Sequence, residues 1–350
     1  MALRLAEGLG AHGHELLLLH HPAAAIREPW RALGHRSAGV LRGRDALLLP
    51  NALSWLALRR FRPDVLMAFM AWPHDLALFM PAVQRLGVPV VVRCALAGTL
   101  RPKPRDEAYL RAAARFITVS EDLKRELLAA LPGLDAPVTP ILNGTDIEAF
   151  EQVAPADLDL PAGAVALGFI GRMHEEKGLY ELAAAWPRVA AAVPDAWLVI
   201  AGSGGPHQEH VRAAFGGLPR VRMLGYRTDN IALHLAFDVL VLPSHREGFP
   251  NVVVEAMAAG TPVVATSISG TVEAVEPNVT GLLVPPRDPD ALAGALIRLA
   301  ADQPLRRRMG TVAAARARER FAWPRAFNAY EAELLAAAHS DGIAQDRTIR

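Results

Sequence analysis

At 350 residues the chain is long enough for two hydrophobic cores, and 52% hydrophobic with 21% charged residues excludes a disordered or fibrous protein. Cys94 is the only cysteine, so no intrachain disulfide can form, nothing requires an oxidising compartment, and a buried thiol is expected. The net charge of +1 hides an asymmetry: residues 1–130 hold 18 Lys+Arg against 11 Asp+Glu and residues 131–350 hold 19 against 25, which makes the first part basic at +7 and the rest acidic at −6.

Along the chain, Arg42, Arg44, Arg59, Arg60 and Arg62, then Arg101, Lys103 and Arg105, give the first half its basic character. They could meet anionic lipid head groups or a lipid-linked phosphate, or simply solvate the surface. Aromatic residues do not interleave them, which argues against nucleic acid. The apolar stretch Asp64 to Val83 is broken by His74 and Asp75, so no membrane span is expected, nor is a signal peptide. Strand-like and helix-like segments alternate through both halves, predicting two doubly wound α/β domains with parallel sheets. The Pro-, Ala- and acid-rich EQVAPADLDLPAG segment has no amphipathic period, and residues 151–164 are expected to link a domain at 1–150 to one at 165–322.

In the second half VALGFIG reads as a strand, followed by Gly171, a charged loop with Arg172 and Lys177, and a helix from about Leu179. An Arg fork and a movable Lys charge can neutralise a diphosphate without a metal ion. Gly202 and Gly204, following another strand-like run, allow close backbone approach to a nucleotide or serve only as turn residues. VLVLP, Val239 to Pro243, reads as a buried strand, Glu247 to Pro250 as a turn, and VVVEAMAAG as a helix ended by Gly260, with Pro250 in its first turn. Glu247 and Glu255 thus stand eight residues apart across a helix start, where free backbone N–H groups attract phosphate and carboxylates accept from sugar hydroxyls. Gly270 and Glu273 are expected to open a further helix, with Glu273 a site residue or a carboxylate favoured by the helix dipole. Asp157-Leu158-Asp159 falls in the linker, and Asp288-Pro289-Asp290 precedes a helix at Ala291 as an acidic cap. No metal site is expected, since neither pair assembles converging oxygens and His12, His14, His20 and His21 lack a zinc-like pattern. The chain closes with a helix over 323–338 and a polar tail, 339–350, expected to be disordered.

With AGSGG (201–205), AFDVLVLPS (236–244), TPVVAT (261–266), GTVEAV (270–275) and NVTGLLVPPRDPDALA (278–293) in order, the second half resembles family 4 of the retaining glycosyltransferases, which have the GT-B fold. GHELLLL (13–19), RPDVL (62–66), GVPVVV (87–92), ITVSEDLKREL (117–127) and PILNGTDIEAF (140–150) extend the resemblance through the first half. It implies two Rossmann-like domains facing a cleft, the 323–338 helix crossing back to the first, and metal-independent transfer of a sugar from a nucleoside-diphosphate sugar with retention. The acceptor implied is a sugar, a lipid-linked or a small molecule; the lone cysteine makes the cytoplasm the expected compartment, and the basic first half allows a place at the inner membrane face. It assigns Arg172 and Lys177 to the leaving diphosphate and Glu247 to the donor sugar. Glu255 falls to the ribose, with backbone around Gly248, Phe249, Asn251 and Val252 at the phosphates.

Two departures stand out. The chain begins inside the helix resembling LRLAEGLGAHGHE (3–15), so the first domain is expected to lack its N-terminal strand and to carry a gap in its sheet. The first-domain histidine of many relatives aligns with Met67 or Phe69, and His74 is the nearest imidazole. A non-catalytic or truncated nucleotide-sugar binder and a nucleotide-sugar epimerase are the alternative readings.

Overall fold

The computed structural model describes residues 1–20, 26–39, 49–70, 76–77, 79–95, 98, 100, 102–205 and 208–339. His74, His21, Arg42, Arg44, Arg101 and the tail from Ser340 lie outside them. The chain divides into two units, Met1–Leu142 with Ala326–Arg350, and Asn143–Arg325.

The first unit runs α1 (Ala2–Ala11), β1 (Leu17–His20), α2 (Arg27–Ala32), β2 (Arg36–Gly39), α3 (Leu49–Phe61), β3 (Leu66–Met70), α4 (Met80–Leu86), β4 (Val90–Cys94), α5 (Pro104–Arg111), β5 (Arg115–Thr118), α6 (Glu121–Ala130) and β6 (Val138–Pro140). All five residues of β4 are buried, as expected of an unalternating VVVRC run covered on both faces of a parallel sheet. Helix α6 starts where Ser120 accepts a hydrogen bond from Leu123 N–H at 3.1 Å, with Glu121 and Asp122 complementing the dipole of its first turn. Burial pushes the Cys94 thiol up to about 12, leaving it inert.

The described strands of this unit form two separate parallel sheets, β1-β2 and β3-β4-β5-β6. An apolar cavity of about 410 Å³ is lined by Leu17–Leu19 of β1, Leu66–Met70 of β3, and Leu5, Ala6 and Leu9 of α1. The apolar face of α1, with Leu5, Ala6 and Leu9, thus forms one wall of this cavity.

The second unit alternates regularly: β7 (Val165–Ile170), α7 (Leu179–Ala192), β8 (Ala196–Ala201), α8 (Gln208–Ala214), β9 (Val221–Gly225), α9 (Asn230–Ala236), β10 (Val239–Leu242), α10 (Asn251–Ala258), β11 (Val263–Thr266), α11 (Ser269–Ala274), β12 (Gly281–Val284), α12 (Pro289–Ala301) and α13 (Gln303–Phe321). Its six strands are all parallel, in the order β12-β11-β10-β7-β8-β9. The sheet grows outward in both directions from the β7–β10 pair, which makes that pair the switch point of a doubly wound fold. Phe169, Trp186, Leu198 and Leu296 are fully buried in its core, and Trp186 Nε1 donates to the Pro219 carbonyl at 2.7 Å. Truncating one such side chain costs about 2–5 kcal/mol.

Asp288 caps α12 as the sequence predicts, accepting from Ala291 N–H at 2.9 Å. In the other acidic pair, Asp157 accepts from the Asp159 N–H and Asp159 pairs with Arg222, so both are used locally. The last helix, α14 (Trp323–His339), takes in His339, which the sequence assigned to the tail. From Ala326 onward it belongs to the first unit. There Arg93 Nε donates to Tyr330 Oη at 2.8 Å, Arg115 pairs with Glu333 at 2.6 Å, and Glu331 meets His12 and His14 at 2.7 and 3.0 Å.

Candidate functional site

In an open parallel sheet, ligands bind beyond the carboxyl ends of the strands at the switch point, because the helices following the two central strands diverge there. The segment after β7 carries Gly171, Arg172 and Lys177; the segment after β10 carries Ser244, Glu247 and the start of α10. The sequence-predicted charged residues therefore converge on the position that this topology reserves for a ligand.

The two segments are bound together at several points. Lys177, at the end of a short 3-10 helix over Glu175–Lys177, places Nζ 2.6 Å from Glu247 Oε1, and the side chains are only 20% and 13% exposed. Ser244 Oγ donates to the same oxygen at 2.7 Å, and the Thr266 hydroxyl in turn donates to the Ser244 carbonyl. Next to them His245 N–H donates to the Glu176 carbonyl at 2.8 Å, His245 Nε2 lies 2.9 Å from Glu181 Oε1, and Arg246 pairs with Glu176 at 2.6 Å. Both donors to Glu247 go to Oε1, which leaves Oε2 as the acceptor available to a ligand. Arg172 is exposed and makes no ion pair among the described residues.

Glycines let these loops meet. Gly178 has φ +66°, and a Cβ there would overlap the Pro243 carbonyl at the end of β10. Gly202, at φ +143°, sits against the Gly171 carbonyl in the same way and donates its N–H to Gly225 at 2.7 Å. Gly270 packs on the backbone of Gly248 and Phe249, where a Cβ would come 2.7 Å from Phe249 Cα. Gly204 lies in open space and donates to the Gln208 side chain at 2.5 Å.

Helix α10 begins at Asn251, one residue ahead of the VVVEAMAAG run, and Pro250 is its N-cap, not part of its first turn. Proline adopts the extended cap conformation, φ −83° and ψ 98°, and the N–H groups of Asn251 and Val252 precede the first intrahelical bond. Asn251 Oδ1 accepts from Asn143 Nδ2 at 2.8 Å, which fixes the side chain at that helix start. Phe249 is buried and stacks at a tilt on Phe321, 5.8 Å between ring centroids. Glu255, on the second turn of α10, lies with Oε2 3.2 Å from His234 Nε2.

Two expectations change. Glu273 stands in the last turn of α11, a helix of six residues, and does not open it, so the dipole reading fails for a carboxylate at that end. His74 lies outside the described residues, while Met67 and Phe69 lie on β3, Phe69 exposed. Ser244, His245, Glu181 and His234 are contacts the sequence reading missed. Ser244 stood inside the quoted motif; no spacing rule links His234 to Glu255 across 21 positions. Among the described residues no group of three His, Cys, Asp or Glu could hold a metal ion, and no helix is long and apolar enough to cross a membrane.

Comparison with known proteins gives this geometry a family. The model of glycosyl transferases group 1 matches residues 164–302, and that of glycosyltransferase family 4 matches residues 1–149. The glycogen synthase of Mycobacterium tuberculosis is 33% identical over 309 residues, 83% of this chain and 72% of the relative. A glycosyltransferase from Rickettsia africae superposes with a TM-score of 0.86 at 17% identity, covering 97% of this chain and 94% of its own. HepE of Anabaena, solved in complex with UDP and glucose, superposes with a TM-score of 0.79 at 22% identity, covering 96% and 95%. The chain belongs to the family 4, group 1 glycosyltransferases: it has their GT-B fold and is an enzyme that transfers a sugar with retention at the anomeric carbon.

Proposed function

We propose that the donor is a uridine-diphosphate hexose and the acceptor a carbohydrate hydroxyl, in polysaccharide or glycoconjugate synthesis, without a metal ion. The observation that carries this reading is the Lys177–Glu247 contact of 2.6 Å beside Arg172 and the open start of α10. It joins cationic groups for a diphosphate to a carboxylate for a sugar within one short stretch of the switch point. The HepE complex with UDP and glucose supports the donor class, and the glycogen synthase relative supports the acceptor class.

The roles follow from the chemistry. Arg172 and Lys177 stabilise the charge that builds on the diphosphate as the anomeric C–O bond breaks. The N–H groups of Asn251 and Val252 add donors at the positive end of α10, and the backbone at Gly171, Gly202, Gly204, Gly248 and Phe249 approaches the nucleotide closely. Glu247 accepts from donor-sugar hydroxyls through Oε2, and Glu255 accepts from the ribose hydroxyls. The acceptor oxygen attacks the anomeric carbon on the face the diphosphate leaves. Its proton passes to an oxygen of the departing phosphate, so no protein nucleophile is required and the configuration is retained. Gly270 supports the loop at Gly248, and Glu273 stays outside this set. The exposed Arg59, Arg60, Arg62, Lys103 and Arg105 support peripheral contact with an anionic membrane on its cytoplasmic side.

Thermal melts with UDP, GDP and ADP test the donor site directly. Ligand at about 100 times its Kd adds roughly 2.7 kcal/mol of stability, so UDP is expected to raise Tm selectively. A cooperative melt that no diphosphate moves would remove the donor site from the assignment. In kinetics, Glu255→Ala should mainly weaken UDP binding, while Glu247→Ala should lower kcat more than it weakens UDP. Equal effects of the two would show the roles to be misassigned.

A further inference from the structure

Glu255 has a buried partner. His234, on α9, is wholly inaccessible to solvent, and its Nε2 lies 3.2 Å from Glu255 Oε2. Its Nδ1 is also buried and has no hydrogen-bond partner among the described residues. The His234 carbonyl accepts from the Thr261 hydroxyl at 2.9 Å, which ties the main chain behind the ring to the segment following α10. An imidazole so placed has its tautomer decided by its surroundings. With the proton on Nε2, the ring donates to a carboxylate; with the proton on Nδ1, a buried donor goes unpaired and the Nε2 lone pair faces a second acceptor. A hydrogen bond to a charged acceptor is among the stronger ones available to a side chain, and in a buried position it is costly to lose.

We propose that His234 is a positioning residue of the nucleotide site: its Nε2–H holds Oε2 of Glu255 and so presents Oε1 to the ribose hydroxyls of the donor. The inference rests on the ribose-binding role assigned to Glu255 above. The Glu255 side chain is 30% exposed, with room for other rotamers once that bond is gone. If only a tenth of the free enzyme then held the competent rotamer, the apparent Kd would rise about tenfold without any change in the chemical step.

The test compares His234→Phe, which keeps a buried ring of similar size but cannot donate, with His234→Gln, whose amide N–H can. The readouts are the Kd of UDP alone by calorimetry, the donor KM, kcat and the melting temperature. His234→Phe is expected to raise both the UDP Kd and the donor KM about tenfold with kcat within about twofold, and His234→Gln to recover most of that loss. In a Glu255→Ala background, His234→Phe should add nothing. An unchanged UDP Kd in a folded His234→Phe protein, the same loss with and without Glu255, or a fall in kcat alone would each overturn the proposal. Should His234→Phe fail to melt cooperatively, His234→Asn, one methylene short of the carboxylate, must show the same rise, and wild-type affinity there would overturn it equally. Unchanged UDP affinity in Glu255→Ala alone would instead overturn the role of Glu255, so the two failures are distinct.

Discussion

Lys177 and Glu247 were each legible as a site residue, but not as a pair. Their spacing of 70 positions carries no periodic signal, and only the parallel pairing of β7 with β10 brings them to 2.6 Å. The pairing changes how a substitution should be read. Lys177→Ala removes the charge proposed for the leaving diphosphate and also strands Glu247, which is mostly buried and keeps only Ser244 as a donor to Oε1. Arg172 is exposed and makes no ion pair among the described residues, so Arg172→Ala removes the proposed diphosphate contact alone. Each should lower kcat/KM by at least about 100-fold if it stabilises the leaving group as strongly as an oxyanion donor does. The two should differ in stability: Arg172→Ala is expected to leave Tm unchanged, while Lys177→Ala lowers it, and melts of both variants beside their kinetics separate the effects. Near-normal turnover in either would remove that residue from the leaving-group role.

At the scale of elements, the sequence announced the long, strongly patterned pieces. The unalternating VLVL of β10 was legible because both faces of a parallel strand are buried, and α10 because Gly260, at φ +74°, follows it. Short elements escaped. Six residues of α11 span less than two turns, too few for a period to show, and that is why Glu273 was misplaced at its start. The junction of elements was not legible: nothing in the sequence marks Gly178 as the point where the β7 loop touches the end of β10. Gly178→Ala puts a methyl group into the Pro243 carbonyl and holds an L-residue at φ +66°. Strain of this kind costs roughly 1–3 kcal/mol. A variant that still folds must part the two loops, so its donor KM should rise along with the fall in Tm. Wild-type Tm and KM in Gly178→Ala would mean that the loops do not meet there.

For the molecule as a whole, the sequence foretold two α/β units with parallel sheets through the alternation of strand-like and helix-like runs. The cavity of about 410 Å³ in the first unit could not be read, because a cavity belongs to no single residue: it is what β1, β3 and α1 leave unfilled together. Ala6, buried on α1 and lining the cavity, offers a way to ask whether the space is empty in solution. If it is, Ala6→Leu adds apolar atoms to unfilled volume without disturbing a good helix position, and cavity filling of this kind commonly adds about 0.5–2 kcal/mol. For a unit of this size, each kcal/mol corresponds to a Tm rise of roughly 2–4 °C. If the space is already taken up by polypeptide, the same leucine overpacks it and costs about 1–3 kcal/mol, so Tm falls. The sign of the shift is the measurement. A rise, with the UDP-dependent stabilisation of the second unit unchanged, would show a first unit that folds around an open cavity; a fall would show that an apolar segment occupies the space beneath α1.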